Sequence, residues 1–125
     1  RMNAWGPDID YEFFEVLDYY DSDPKTRVIV ITGQGVFFCA GHDAEFTQDG
    51  ENLATVRPKI GGLRDFHDIR KMRTPTIAIV NGAACGIGLS LALMCDVRFA
   101  CPDAKFGVIF PQRGLVGEEG TAFLL

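Results

Sequence analysis

The sequence predicts an α/β domain built around a parallel sheet. Two observations support this. Short runs of β-branched and apolar residues are bounded by glycine, proline or asparagine, and longer segments with apolar residues at helical spacing alternate with them. A chain of 125 residues can bury about two thirds of its unfolded surface as one domain. We therefore treat residues 1–125 as a single domain.

Composition and charge narrow the class of protein. Hydrophobic residues make up 47% of the chain and ten are phenylalanine, which is typical of a packed globular protein. The net charge of −5 argues against general nucleic-acid binding. No apolar run approaches the length of a membrane span and no signal peptide opens the sequence, so we expect no membrane partner and a cytoplasmic location. The four cysteines lack C-x-x-C spacing, which favours reduced, buried thiols over disulfides or a metal site.

The first half of the chain predicts a helix followed by short strands. Pro7 suits the first turn of a helix. Apolar residues then follow at helical spacing and should form its buried stripe: Ile9, Phe13, Val16, Leu17 and Tyr20. Residues 28–32 read as a buried strand and residues 36–39 as a second short apolar run. Polar residues 47–56 read as a surface loop, and residues 58–72 as a helix.

The chain is organised around residues 76–96. Residues 76–80 predict a buried strand, the glycines at 82, 86 and 88 predict a turn, and residues 89–94 predict a helix buried on most sides. Backbone N–H groups at the start of such a helix favour a negative charge in front of them. The glycine spacing matches neither the Rossmann motif nor the P-loop. The alternative is a turn whose glycines serve only close packing.

The last third continues the alternation. Residues 96–100 predict a strand, residues 106–110 a short extended or irregular run, and residues 114–120 a second glycine turn. The chain closes on the apolar residues 121–125. We expect it to be part of a larger domain, incomplete at both ends.

Several stretches together resemble the crotonase (enoyl-CoA hydratase/isomerase) superfamily. They are residues 28–33 leading into 38–43, residues 75–96, Lys105-Phe106-Gly107 and Arg113-Gly114-Leu115-Val116. The resemblance implies a ClpP/crotonase-like spiral of repeated ββα units, here without its first strand and C-terminal part. It also implies an acyl-CoA thioester as substrate, no separate cofactor or metal, and a homotrimer or dimer of trimers for the full-length protein.

The resemblance implies an oxyanion hole made of two backbone N–H groups. By motif position these belong to Ala40 and Ile87, the latter standing where the family often has glycine. Such donors stabilise the charge that develops on a thioester oxygen when an adjacent proton is removed. Ile87 keeps the N–H, so the predicted donor is retained.

The acid/base positions distinguish the subfamilies. Hydratases of this family carry two glutamates, at positions that correspond to Ser90 and Phe110 here. Glu118 matches the proton-shuttling base of one group of Δ3,Δ2-enoyl-CoA isomerases, and Glu119 is a lesser candidate. One carboxylate suffices for isomerisation, since the same group removes and returns the proton. We therefore expect an isomerase of this type, with Glu118 as its base.

The remaining predicted contacts surround these residues. The pantetheine and adenine should pass residues 38–43. An apolar wall for Glu118 should come from Phe106, Val108, Ile109 and Phe110. The predicted substrate-binding residues are Phe38, Cys39, Gly41, His42, Asp43, Ala84, Gly86, Gly88 and Phe110. Six basic residues between Arg57 and Arg73 form either a patch that suits the phosphates of the ligand or a solvated helix face.

Other interpretations remain open. A hydratase or hydrolase of the same fold would use Glu118 or Glu119 to activate water. A non-catalytic acyl-CoA-binding subunit would explain the loss of both hydratase glutamates. Glu118 and Glu119 would then form an exposed pair at a helix start. A serine hydrolase built on Ser90 is the weakest alternative, because no histidine–aspartate partner is assignable from the sequence.

Overall fold

The computed structural model describes residues 2–43, 65–114, 116–117 and 120–125. Its α-helices are α1 (Pro7–Ser22), α2 (Ile87–Met94) and α3 (Thr121–Leu124), with 3₁₀ helices at Phe66–Lys71 and Pro111–Arg113. Its strands are β1 (Ile29–Thr32), β2 (Phe37–Cys39), β3 (Thr76–Val80), β4 (Ala83–Cys85), β5 (Val97–Ala100) and β6 (Phe106–Gly107).

The strands form two parallel sheets of three, ordered β1-β3-β5 and β2-β4-β6. Successive strands along the chain alternate between the two sheets. In the first sheet, Ile77 of β3 lies between Val30 of β1 and Val97 of β5. The predicted α/β class with parallel strands is confirmed, and β3 has the predicted bounds. Where a continuous glycine turn was predicted between residues 82 and 88, the structure instead inserts the short strand β4.

Helix α1 is present as predicted, and its buried face overlaps part of the predicted stripe. Leu17 is buried and Phe13 packs against the core, whereas Ile9, Val16 and Tyr20 are exposed, and Phe14, outside the stripe, is buried. The physical reason is local. The Asp10 carboxylate accepts a hydrogen bond from the Trp5 indole at 2.9 Å, and this turns the Asp10 face of the helix inward. The ring of Trp5 then makes an edge contact with Phe66, at 4.9 Å between centroids.

Helix α2 lies in the centre of the molecule, as predicted. All of its residues except Leu93 are buried, and it contacts β2, β4, α3 and the first 3₁₀ helix. Within the predicted helix 58–72, the described part is a six-residue 3₁₀ helix rather than an α-helix. Asp65 starts it with a capping box, in which its side chain accepts from the backbone of the first turn. Among the described helices, none is long and apolar enough to cross a membrane.

Candidate functional site

The turn into α2 has the geometry of a hydrogen-bond donor site. Gly86 has φ +52°, a conformation that favours glycine, and its carbonyl accepts from the N–H groups of Leu89 and Ser90 at 3.0 and 3.1 Å. Its carbonyl therefore points into the helix. Because a peptide unit is planar and trans, the Ile87 N–H at the other end of that unit points outward. No hydrogen bond joins the Ile87 N–H to another described residue.

Close packing brings the segments that carry the two predicted donors into contact. A methyl group added at Gly88 would lie 2.4 Å from the Cys39 carbonyl oxygen, so α2 touches the backbone of β2. A methyl group at Gly41 would lie 3.3 Å from the Cys85 carbonyl oxygen. Ala40 lies between Cys39 and Gly41 and is thus carried next to the Gly86–Ile87 turn. These contacts place the backbone around Ala40 next to the turn that carries Ile87. Their joint role as an oxyanion hole stays a prediction.

The Ala40 donor is engaged by the chain itself. Its N–H donates to the Met2 carbonyl at 3.2 Å. The neighbouring backbone is also tied to this segment, since Trp5 N–H donates to the Gly41 carbonyl at 2.8 Å. Met2 has φ +56°, a strained conformation for a residue with a side chain. A thioester oxygen that accepts from the Ala40 N–H would have to displace the Met2 carbonyl as its acceptor.

The predicted substrate-binding residues differ in exposure. Phe38 and Cys39 are 3% exposed and belong to the core, and Ala84 in β4 is completely buried. Burial raises the pKa of the Cys39 thiol. His42 and Asp43 are partly exposed and run beside Trp5, whose carbonyl accepts from the Asp43 N–H.

A cavity of about 260 Å³ lies beside Phe38 and Cys39. Residues of the N-terminal segment, α1, β1 and α2 also line it, among them Asn3, Ile9, Ile31 and Leu91. Neither Gly86 nor Ile87 lines it. The side chains of Phe38 and Cys39 therefore face this cavity or the core. A ligand at the Gly86–Ile87 turn would contact these two residues through the backbone of β2.

Two of the four predicted wall residues cover the Gly86 turn. Side-chain atoms of Ile109 lie 3.4 Å from a methyl group placed at Gly86, and an atom of the Phe110 ring lies at 3.9 Å. Phe110 is buried. Phe106 and Val108 are more exposed, at 52% and 44%. The difference arises because β6 ends at Gly107, after which the chain turns Ile109 and Phe110 toward α2. The wall was predicted for Glu118, which lies outside the described residues, so the part of Phe106 and Val108 in it stays a prediction.

The hydratase-glutamate positions hold no carboxylate. Ser90 is completely buried, and its hydroxyl donates to the Gly86 carbonyl at 3.3 Å. Its oxygen also lies 2.5 Å from the hydroxyl of Thr121, at the start of α3. Phe110 fills the second position. The predicted base Glu118 and its neighbour Glu119 lie outside the described residues, so their roles stay predictions.

A histidine–aspartate pair does occur, although the sequence offered no way to assign one. His67 Nδ1 lies 2.6 Å from the Asp65 carboxylate on the first 3₁₀ helix, and both side chains are about half exposed. The Ser90 hydroxyl, however, contacts Gly86 and Thr121 and not His67. The arrangement therefore does not supply a serine nucleophile with its base.

The described bases of the predicted phosphate patch are Arg70, Lys71 and Arg73. Lys71 is paired with Asp68 at 2.9 Å, and Arg73 donates to the Asp21 carbonyl at 2.6 Å. The other three bases lie outside the described residues. In the described part of the chain, no group of three or more histidine, cysteine or acidic side chains could hold a metal ion.

Thr121 is the site residue that the sequence analysis missed. It pairs with Ser90 across 31 positions of sequence. The sequence gives a local indication for Ser90 only. A serine four residues after the glycine that precedes an apolar helix can donate a hydrogen bond to the carbonyl of that glycine. Nothing local marks Thr121 as its partner.

Comparisons with known proteins place this geometry in a family. The family model described as enoyl-CoA hydratase/isomerase matches residues 1–125. The probable enoyl-CoA hydratase EchA14 of Mycobacterium tuberculosis is 36% identical over 126 residues, covering all of this chain and 49% of that protein. The enoyl-CoA hydratase ACTT3 of Alternaria alternata is 36% identical over 117 residues, covering 91% of this chain and 38% of that protein.

Solved structures agree. The enoyl-CoA hydratase EchA12_1 of Mycobacterium marinum matches with a TM-score of 0.76 and 42% identity, over 99% of this chain and 52% of that one. A crotonase-type enoyl-CoA hydratase/isomerase structure from Legionella pneumophila, described as putative, matches with a TM-score of 0.82 and 29% identity, over 97% and 48% of the two chains. The chain thus spans about half the length of these structures, and between 38% and 49% of the two curated relatives.

Proposed function

Because this chain belongs to the enoyl-CoA hydratase/isomerase family, we propose that the full-length protein moves the double bond of a 3-enoyl-CoA thioester to the 2-position. The observation that carries the proposal is the pair of side chains at the hydratase-glutamate positions. Ser90 is buried with its hydroxyl engaged, and Phe110 has no polar group. With Glu118 as the leading candidate base, the chemistry best supplied is a proton shuttle.

The proposed reaction runs through a thioester enolate. Glu118 takes a proton from C2, and the electrons of that C–H bond move into the conjugated system, placing negative charge on the thioester oxygen. The Ala40 and Ile87 N–H groups stabilise that oxygen. Glu118 then returns the proton to C4, leaving the double bond between C2 and C3. Loss of one such donor typically costs about a hundred- to a thousandfold in rate.

A second candidate is hydration of a 2-enoyl-CoA by the same site. It is favoured by the names of the relatives, which are those of hydratases. In this case Glu118 or Glu119 would activate water. The two functions predict different products from different substrates.

The test is a pair of assays on the full-length protein and on Glu118→Gln. One supplies a 3-enoyl-CoA and follows the conjugated product; the other supplies a 2-enoyl-CoA and follows its hydration. We expect isomerisation without hydration, and a loss of at least about a hundredfold in Glu118→Gln with thioester binding retained. Hydration at a comparable rate, or an active Glu118→Gln, would refute the proposal. Glu119→Gln is the matched control and should stay active.

A further inference from the structure

A short chain of hydrogen bonds connects α3 to the peptide that carries the Ile87 donor. The Ser90 hydroxyl donates to the Gly86 carbonyl at 3.3 Å. Either hydroxyl could donate in the 2.5 Å contact between Ser90 and Thr121. With the single Ser90 proton directed at Gly86, Thr121 is the donor in that contact, and the order of donation is Thr121 to Ser90 to Gly86. Both side chains are buried, at 1% and 0% exposure, so the contact is protected from bulk water.

The last acceptor in this chain is the other end of the donor peptide. The Gly86 carbonyl and the Ile87 N–H belong to one planar peptide unit. A hydrogen bond to the carbonyl fixes the direction of that N–H and polarises it, and successive bonds in a chain strengthen one another. The Gly86 carbonyl already accepts from the N–H groups of Leu89 and Ser90, and the Ser90 hydroxyl adds a third donor.

We propose that Ser90 and Thr121 are positioning residues for the oxyanion hole, acting through the Gly86–Ile87 peptide. This inference rests on the proposed role of Ile87 and extends it. In hydratases of the family, this position on the helix carries an acid/base group. Here Ser90 occupies the position and holds the Gly86–Ile87 peptide, which binds the developing charge. Neither hydroxyl touches the substrate in this role.

The inference predicts an effect on rate rather than on binding. Ser90→Ala removes the whole chain of bonds, and we expect kcat to fall about tenfold with KM changed less than about twofold, since a weakened donor costs less than an absent one. Thr121→Val removes the first bond, and we expect a fall of about threefold. Thr121→Ser keeps the hydroxyl and should stay near the native rate. The double variant Ser90→Ala/Thr121→Val should be no slower than Ser90→Ala alone, because both changes break one chain.

The deciding measurement does not depend on turnover. A saturated acyl-CoA labelled with ¹³C at the thioester carbonyl is bound to the full-length protein, and its carbonyl stretch is read by difference infrared spectroscopy. We expect a shift to lower frequency in the native protein and in Thr121→Ser, a smaller shift in Thr121→Val, and the smallest in Ser90→Ala. Equal shifts in Thr121→Val and Thr121→Ser, or no shift in the native protein, would overturn the inference.

This readout separates the two proposals. Glu118→Gln should leave the carbonyl shift unchanged, because Glu118 acts on the proton and not on the oxygen. If the native protein fails to isomerise but shows the graded shifts, the proposed reaction is wrong and the positioning role stands. If isomerisation occurs and the shifts are equal, the proposed reaction stands and the positioning role is wrong. If Ser90→Ala does not fold, the comparison of the carbonyl shifts in Thr121→Val and Thr121→Ser still tests the inference.

Discussion

Gly88 is the residue at which α2 meets β2. A methyl group there would lie 2.4 Å from the Cys39 carbonyl and 2.7 Å from its Cβ, distances that real atoms do not adopt. One of the two elements would therefore have to move.

We expect Gly88→Ala to lower the free energy of unfolding by about 1–3 kcal/mol, the usual cost of overpacking. Gly117→Ala is the matched control, because a methyl group there meets its nearest atoms at an ordinary 3.6 Å; it should change stability by less than about 0.5 kcal/mol. Urea unfolding of the full-length protein measures both. Equal stabilities for the two variants would contradict the close approach of α2 to β2.

The cysteines should differ in reactivity according to burial. Burial raises the pKa of Cys95 to about 11 and also raises that of Cys39, and the two side chains are 1% and 3% exposed. Cys85 and Cys101 are partly exposed. Because the thiolate is the reactive form, only about one in a thousand Cys95 side chains is reactive at pH 8.

We therefore expect iodoacetamide at pH 8 to modify Cys85 and Cys101 well before Cys39 and Cys95. Mass spectrometry of peptides at successive times gives the four rates. The same experiment in denaturant is the control, since unfolding should make the rates similar. Rapid labelling of Cys95 in the native protein would show that α2 is less well packed than described.

At the scale of elements, one aspartate ties β3 to the chain that enters β5. The Asp96 carboxylate accepts from the Thr76 N–H at 2.8 Å and from its hydroxyl at 3.0 Å. These bonds, the backbone one foremost, hold the pKa of Asp96 below its usual value. A carboxyl whose pKa is lowered on folding adds stability above its unfolded pKa, and this stability is lost as pH falls through the folded value.

We expect Asp96→Asn to be less stable than the native protein at pH 7. The difference should shrink as pH falls from about 4, the unfolded pKa of aspartate, toward the lower folded value. Urea unfolding at several pH values measures it, with Asp103→Asn in an exposed turn as control. A difference that does not change with pH would mean that the charge of Asp96 does not matter.

Local signals predicted some elements well and left others out. The run 76–80 became β3 with the same bounds, because five apolar or β-branched residues between Pro75 and Asn81 leave few alternatives. Strand β4 was missed, since the three residues Ala83–Cys85 between glycines carry little strand signal and are fixed by pairing with β2 and β6. Leu17 and Phe13 of the predicted α1 stripe contact the core, but Ile9, Val16 and Tyr20 do not, because the bond between Trp5 and Asp10 lies outside the apolar pattern.

The same division applies to the site. The Gly86–Ile87 turn was predictable because strand, glycine turn and apolar helix follow one another in sequence. The placement of Ala40 beside it depends on the contact of Gly88 with Cys39, across nearly fifty residues, and came only from the family resemblance. The Ser90–Thr121 pair could not be predicted, since neither the spacing nor the residue types single it out.

At the scale of the whole molecule, the packing of α3 on α2 decides whether a glutamate fits at position 90. Ser90 is fully buried and its hydroxyl is engaged by Gly86 and Thr121. A glutamate there would need space and hydrogen bonds that the present packing does not offer. Burying a carboxylate without partners is costly and raises its pKa instead.

We therefore expect Ser90→Glu not to convert the full-length protein into a hydratase. It should lower the thermal unfolding midpoint by more than Ser90→Ala does, because it adds volume and a buried charge to a packed site, and hydration of a 2-enoyl-CoA should stay at background. Ser90→Ala separates the loss of the hydroxyl from the gain of the carboxylate. Differential scanning fluorimetry and the hydration assay give the two readouts. If Ser90→Glu folds normally and hydrates, then α2 and α3 can separate enough to admit a carboxylate. If it behaves as expected, the packing of α3 on α2 excludes a carboxylate at position 90.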